Sequence, residues 1–136
     1  NVVKLTTTKK QNTKDGLDTL IGIENVNGGG GNDELYGNKG SNTLNGGTGN
    51  DLLVGGVGHD KLIGGTGKDI FKLSTGKGFD LIQDFENKKD KIFIGSANKL
   101  KLKNKGKDVN VYIGKDLIAK VKGAKGDLSL KGKYLI

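Results

Sequence analysis

Four aspartates, Asp33, Asp51, Asp60 and Asp69, lie at multiples of nine residues from one another, and Asn42 occupies the remaining place in the series. Each member follows a glycine by two residues and precedes a large apolar side chain by two. Alone, such an aspartate reads as a turn residue bonded to its own backbone. Held in register over five units, the series reads differently: if the units stack, so do their carboxylates, and stacked carboxylates repel unless a cation lies between them. Oxygen is the donor on offer, because the chain has no cysteine and His59 is its one histidine. That donor set suits calcium, which takes six to eight oxygens at ~2.3 to 2.6 Å and accepts carbonyls as readily as carboxylates. Magnesium demands a tighter octahedron and keeps its waters, and zinc favours nitrogen or sulfur.

The elements that must position these groups follow from the repeat itself. Residues 28–72 divide without gaps into GGGGNDELY, GNKGSNTLN, GGTGNDLLV, GGVGHDKLI and GGTGKDIFK. Against the pattern G-G-x-G-x-D-x-U-x, with U a large apolar residue, 23 of 25 defined positions match, Asn38 and Asn42 being the exceptions. Leu35, Leu44, Leu53, Leu62 and Phe71 fill the apolar position, and a strand of one such residue and its two neighbours is too short to stand alone. If each unit is a loop followed by a strand, two units make a coil of 18 residues. The strands then stack about 4.8 Å apart as two parallel sheets around a narrow core. Glycine at positions one, two and four gives the loops the φ > 0 freedom that a sharp turn needs. Asp33, Asp51 and Asp69 then line one edge, with Asn42 and Asp60 on the other. The predicted fold class is all-β: a parallel β-roll, or β-solenoid, of nonapeptide repeats.

The frame continues weakly upstream, with Leu17 and Val26 at the apolar position and Asp15 and Glu24 at the acidic one. Degenerate turns are therefore expected over 1–27, leading into the repeats at 28–72. Further on, KLKLK (99–103), VNVYI (109–113), LIAKV (117–121) and YLI (134–136) read as short alternating strands, and Gly114, Lys115 and Asp116 suit a hairpin turn. These predict a lysine-rich antiparallel β cap within 73–136, protecting the last turn as a solenoid requires.

The nonapeptide pattern resembles the calcium-binding repeat of RTX (hemolysin-type) proteins. GLDTLIGIENV (16–26) resembles the sequence before such arrays, and GKGFDLIQDF (76–85) the one that closes them, through Asp80, Ile82, Asp84 and Phe85. The likeness covers roughly residues 15–95. It implies that each ion lies between two same-edge loops, held by both aspartates, by carbonyls two and four of one loop and by carbonyls one and three of the next. On that pattern one site takes Gly29, Gly31, Asp33, Gly46, Thr48 and Asp51, and the next takes Gly47, Gly49, Asp51, Gly64, Thr66 and Asp69. Across the roll, Asn38, Gly40, Asn42, Gly55, Val57 and Asp60 form a site short of one carboxylate, expected to be weak or empty. A last site joins Gly56, Gly58 and Asp60 to Asp80 and Asp84; a first pairs Asp15 with Asp33 through Gly28 and Gly30. About three to five calcium ions are expected. The resemblance also implies the C-terminal module of a type I secreted bacterial protein, found outside the cell or at its surface, which crosses unfolded and folds in external calcium.

Composition narrows the alternatives. With 32% hydrophobic and 5% aromatic residues, the repeats are expected to be disordered without ions. Glycine supplies 25 residues and proline none, but a flexible linker would not keep an apolar residue in register. No stretch resembles a signal peptide or membrane span, so a non-cleaved export route or a longer parent chain is expected. All 23 basic residues are lysine, against 15 acidic ones, for a net charge of +8. From residue 86 onward 14 lysines face five acidic residues. The plainer reading is a solvated strand face that discourages edge pairing. The alternative is an accessory module of a polysaccharide-modifying enzyme or adhesin, binding acidic polysaccharide or another cell-surface glycan. Nucleic acid is disfavoured by the lack of arginine and of any known motif. Gly67-Lys68 and Gly76-Lys77 lack the rest of a phosphate loop. No catalytic or cofactor-binding constellation is found, His59 is expected to face solvent, and the fragment is expected to be a non-enzymatic monomer.

Overall fold

Each repeat supplies one short strand with a single inward apolar residue, and such strands cohere only in stacks. The computed structural model of the chain describes residues 2–4, 11, 12, 17, 18, 24–95, 98–124, 126 and 128–136; every regular element among them is a β-strand. The first sheet aligns β1 (Val2–Lys4), β5 (Glu34–Tyr36), β7 (Leu52–Val54), β9 (Ile70–Lys72) and β11 (Lys91–Phe93) in parallel. It is closed by the antiparallel pair β16 (Tyr134–Leu135) and β15 (Leu130–Lys131). The second sheet aligns β4 (Asn25–Asn27), β6 (Thr43–Thr48), β8 (Lys61–Thr66), β10 (Asp80–Ile82) and β14 (Asp116–Val121) in parallel. Antiparallel β13 (Asp108–Ile113) and β12 (Leu100–Lys105) extend it. From β4 to β11 the chain alternates between the two sheets, making a parallel β-roll of roughly four coils.

The register turns the nine-residue period into two apolar columns. Leu35, Leu53, Phe71 and Ile92 pair in sequence on one sheet, and Leu44, Leu62, Ile82 and Val121 on the other. All eight are fully enclosed, at 0% exposure, and burying such a side chain contributes about 1.5 to 3 kcal/mol.

Upstream, Val26 pairs with Leu44 as the frame requires. Leu17 does not take the next place: it lies in β3 (Leu17–Asp18), antiparallel to β2 (Gln11–Asn12), and Val3 pairs with Leu35 instead. The C-terminal strands form the expected antiparallel pairs, β12 with β13, β13 with β14 and β15 with β16, and also join the roll's own sheets. β14 joins β10 in parallel, with Ile82 against Val121, while Leu135 extends the other column beyond Ile92. Each sheet is thus prolonged by its own terminal strands. Edge strand β12 leaves Lys101, Lys103 and Lys105 exposed, which opposes edge-to-edge aggregation.

Candidate metal centres

Positions two and four of the regular loops have positive φ: Gly47 at 101° and Gly49 at 132°, for instance. Position one does not, contrary to the expectation from sequence; there glycine answers a need for space. A side chain at Gly28 would meet Asp33 Oδ2 at 2.6 Å and the Gly46 carbonyl at 2.7 Å, and one at Gly46 would sit against Asp51 Oδ2 and the Gly64 carbonyl. The loop therefore folds its own aspartate back over the first glycine, facing a carbonyl of the next coil.

These aspartates form two buried files. On one edge the Asp33 amide donates to Asp51 Oδ1 at 2.7 Å, the Asp51 amide to Asp69 Oδ1 at 2.9 Å, and the Asp69 amide to Asp90 Oδ1 at 3.0 Å. On the other, the Asn42 amide donates to Asp60 Oδ1 at 2.8 Å, and the Asp80 carboxyl faces that of Asp60. The second oxygens of Asp51, Asp60 and Asp69 are buried with no hydrogen-bond partner. A buried unsatisfied carboxylate oxygen is costly, and each of the three is aimed into the cradle just described.

Electrostatics points the same way. Burial raises the carboxyl pKa of Asp51, Asp60 and Asp90. It pushes Asp69 up to about 6, with the charges of Asp90, Asp51 and Asp84 adding to the rise. Burial and the facing Asp60 carboxylate push Asp80 up to about 8. A cation between these groups would reverse that penalty. Among the described residues no three His, Cys, Asp or Glu side chains converge on one point, so further ligands would come from backbone oxygen. The Gly29 carbonyl accepts the Thr48 amide at 2.8 Å and the Thr48 carbonyl accepts the Gly31 amide at 2.8 Å, and each keeps a second lone pair. Carboxylate with carbonyl oxygen, and no nitrogen or sulfur, fits calcium.

Several residues stand where the sequence did not put them. Asp84 was grouped with Asp60, but its carboxylate accepts the amides of Gly64 and Gly65 at 2.9 and 2.8 Å, on the Asp69 edge. Asp90 was overlooked; it closes the Asp69 file and also accepts the Glu86 amide at 2.8 Å. Its signal was available, since Asp80-Leu81-Ile82 and Asp90-Lys91-Ile92 both repeat the acidic-x-apolar ending of the units. A second ladder runs along position five, where Asn32 Oδ1 accepts the Asn50 amide and Asn50 Oδ1 the Lys68 amide, both at 2.8 Å. His59 fills the equivalent place across the roll, solvent-exposed, with Nδ1 accepting the Phe79 amide at 3.3 Å. Asp15 lies outside the described residues.

Asn42 keeps the fold of its neighbours with different chemistry. Its Oδ1 takes the place of the inward carboxylate oxygen, 2.6 Å from where a side chain on Gly37 would begin, and accepts the Asn38 amide at 2.8 Å. Its Nδ2 is buried without a partner. That cradle keeps one oxygen but loses a charge.

Two files of buried carboxylates, stacked on the edges of a parallel β-roll and backed by glycine cradles, define a cation-binding solenoid. Residues 18–82 match the family model of the RTX calcium-binding nonapeptide repeat, in overlapping spans 18–53, 36–71 and 45–82. This repeat region belongs to that calcium-binding family. No curated protein matches the chain.

Proposed function

We propose that the chain is a module that folds on binding extracellular calcium and thereby supports the secretion and stability of a larger secreted protein. The observation that carries this reading is the pair of carboxylate files, whose inward oxygens are buried and unpartnered at Asp51, Asp60 and Asp69. Ions that bind the folded roll and not the open chain each add RT ln(1 + [L]/Kd) to stability. A chain with this thin a core has little else to offset the entropy of ordering its glycines. Low calcium inside the cell then favours the open, exportable chain, and higher calcium outside favours the roll. The proposed ligand groups are those implied by the repeat, with Asp90 closing one file and Asp80 the other, for about three to five ions. The chain's part in this is structural and not catalytic.

Far-UV circular dichroism in chelator, followed by calcium titration with magnesium as control, tests the reading. A cooperative gain of β signal with calcium alone is expected. Full β signal in chelator would overturn it.

A second reading, an accessory module that binds acidic polysaccharide, is favoured by the arrangement of lysines on the outer face of the second sheet.

A further inference from the structure

Strand register brings together lysines that are far apart in the chain. Lys61 on β8 pairs with Leu81 on β10, Leu81 with Lys120 on β14, Lys120 with Asn110 on β13, and Asn110 with Lys103 on β12. Paired residues share a face, and their neighbours Leu62, Ile82, Val121 and Val109 are buried in the core, so this row lies on the outer face, with Lys61 and Lys103 exposed, Lys120 half-buried and Asn110 covered. Strands lie about 4.8 Å apart, so a lysine recurs every second strand, roughly every 10 Å.

Two of the ammonium groups are held in position. Lys120 Nζ lies 4.4 Å from the centre of the Phe79 ring and Lys103 Nζ lies 5.3 Å from that of Tyr112. Among the described residues, the ion pairs that fall on this region join Lys122 to Asp108 and leave Lys61, Lys103 and Lys120 without a carboxylate. Like charges placed in a row and unneutralised are unfavourable in the free protein, and a complementary anion relieves them. Between Lys120 and Lys103 the row passes over Asn110, which is buried and whose Nδ2 donates to the Tyr112 hydroxyl at 3.4 Å; the half-buried Tyr112 hydroxyl suits a sugar hydroxyl.

We propose that this row is a track for a linear polyuronate, whose extended chain presents carboxylates on one side at regular intervals. The proposal deepens the second reading above and rests on it. Point-charge ammonium groups suit single carboxylates; the forked guanidinium favoured for phosphate is missing from a chain without arginine. The track also depends on the roll, because it crosses β8 and β10, which adjoin the Asp60 and Asp80 loops. Polymer binding would therefore follow calcium loading.

The test uses the full chain at saturating calcium and physiological salt, with a labelled galacturonate oligomer too short to gel, read by fluorescence anisotropy. The triple variant Lys61→Gln, Lys103→Gln, Lys120→Gln is expected to lose affinity by roughly tenfold or more. The control Lys107→Gln, Lys115→Gln, Lys131→Gln removes the same charge from exposed positions outside the row and should bind as the parent does. Equal losses in the two variants, no loss in either, or no binding by the parent would overturn the track. So would equally tight binding of a thymidylate oligomer or polyphosphate of matched charge. Circular dichroism of the same samples through the calcium titration reports the folding reading separately, so either idea can fail without the other.

Discussion

Asp51 and Asn42 occupy equivalent places on opposite edges of the roll, and they differ by one charge and one proton-bearing nitrogen. Each accepts a different amide: Asp51 Oδ1 takes the Asp33 amide of the preceding coil, whereas Asn42 Oδ1 takes the Asn38 amide of its own loop. The inward oxygen is therefore buried and unpartnered at Asp51 but already bonded at Asn42, whose Nδ2 is left buried without a partner. A cation satisfies the oxygen and does nothing for the nitrogen, whose hydrogens repel it. Asn42→Asp is accordingly expected to add an ion or to tighten the weakest one, and also to make the calcium-free roll less stable by adding a carboxylate to a file that lacks a counter-charge. Titration calorimetry of parent and variant would check this. Unchanged stoichiometry and affinity would mean that the carboxylate at position six is not what sets cation binding on that edge.

At the scale of the element, the repeat made the strands legible and the insertions hid them. Leu35, Leu44, Leu53, Leu62 and Phe71 keep a strict period, and a period of nine with one apolar residue per unit has few solutions other than a roll. After Lys72 the frame slips. Leu81 pairs with Lys61, twenty residues back, and Lys91 with Ile70, twenty-one back. Small insertions in a surface loop carry little free-energy cost, so the coil closes again, with Asp80 and Asp90 restored to the acidic place. A strict frame cannot follow that, which is why the nine-residue period does not reach Asp90 and sets Asp84 on the opposite edge from the one it occupies. The parallel union of β14 with β10 was also hidden, because alternation shows that a strand exists and not which partner it takes. Asp90 supplies a test at this scale, since its two oxygens receive the Asp69 and Glu86 amides. Asp90→Asn sets an amide nitrogen against one of those donors and should destabilise the last coil by about 1 to 3 kcal/mol. Urea unfolding in saturating calcium would measure the loss, and an unaltered midpoint would show that the coil closes without this carboxylate.

For the whole molecule, protons and calcium compete for the same oxygens, which gives stability a pH dependence that the ion suppresses. In the open chain an aspartate titrates near its ordinary value of 3.8, whereas in the roll burial raises Asp69 to about 6 and Asp80 to about 8. A carboxyl whose pKa is raised by folding contributes stability that is fully present below the unfolded pKa and is lost as pH climbs through the folded one. Without metal, the roll should therefore gain stability on acidification, the contribution of Asp80 returning as pH falls below about 8 and that of Asp69 below about 6. With saturating calcium that dependence flattens above about pH 5, because the ion-loaded roll and the open chain then both hold these groups deprotonated. The β signal in metal-depleted buffer is expected to rise from pH 9 toward pH 5, while the stability added by a fixed calcium concentration shrinks over the same interval, because the ion must displace protons from the folded roll. Urea unfolding at several pH values, with and without a fixed calcium concentration and followed by circular dichroism, measures both trends. A calcium-induced gain in stability that stays constant with pH would mean that the buried carboxylates do not exchange protons for calcium, and the two files would then have to be read as structural hydrogen-bond ladders.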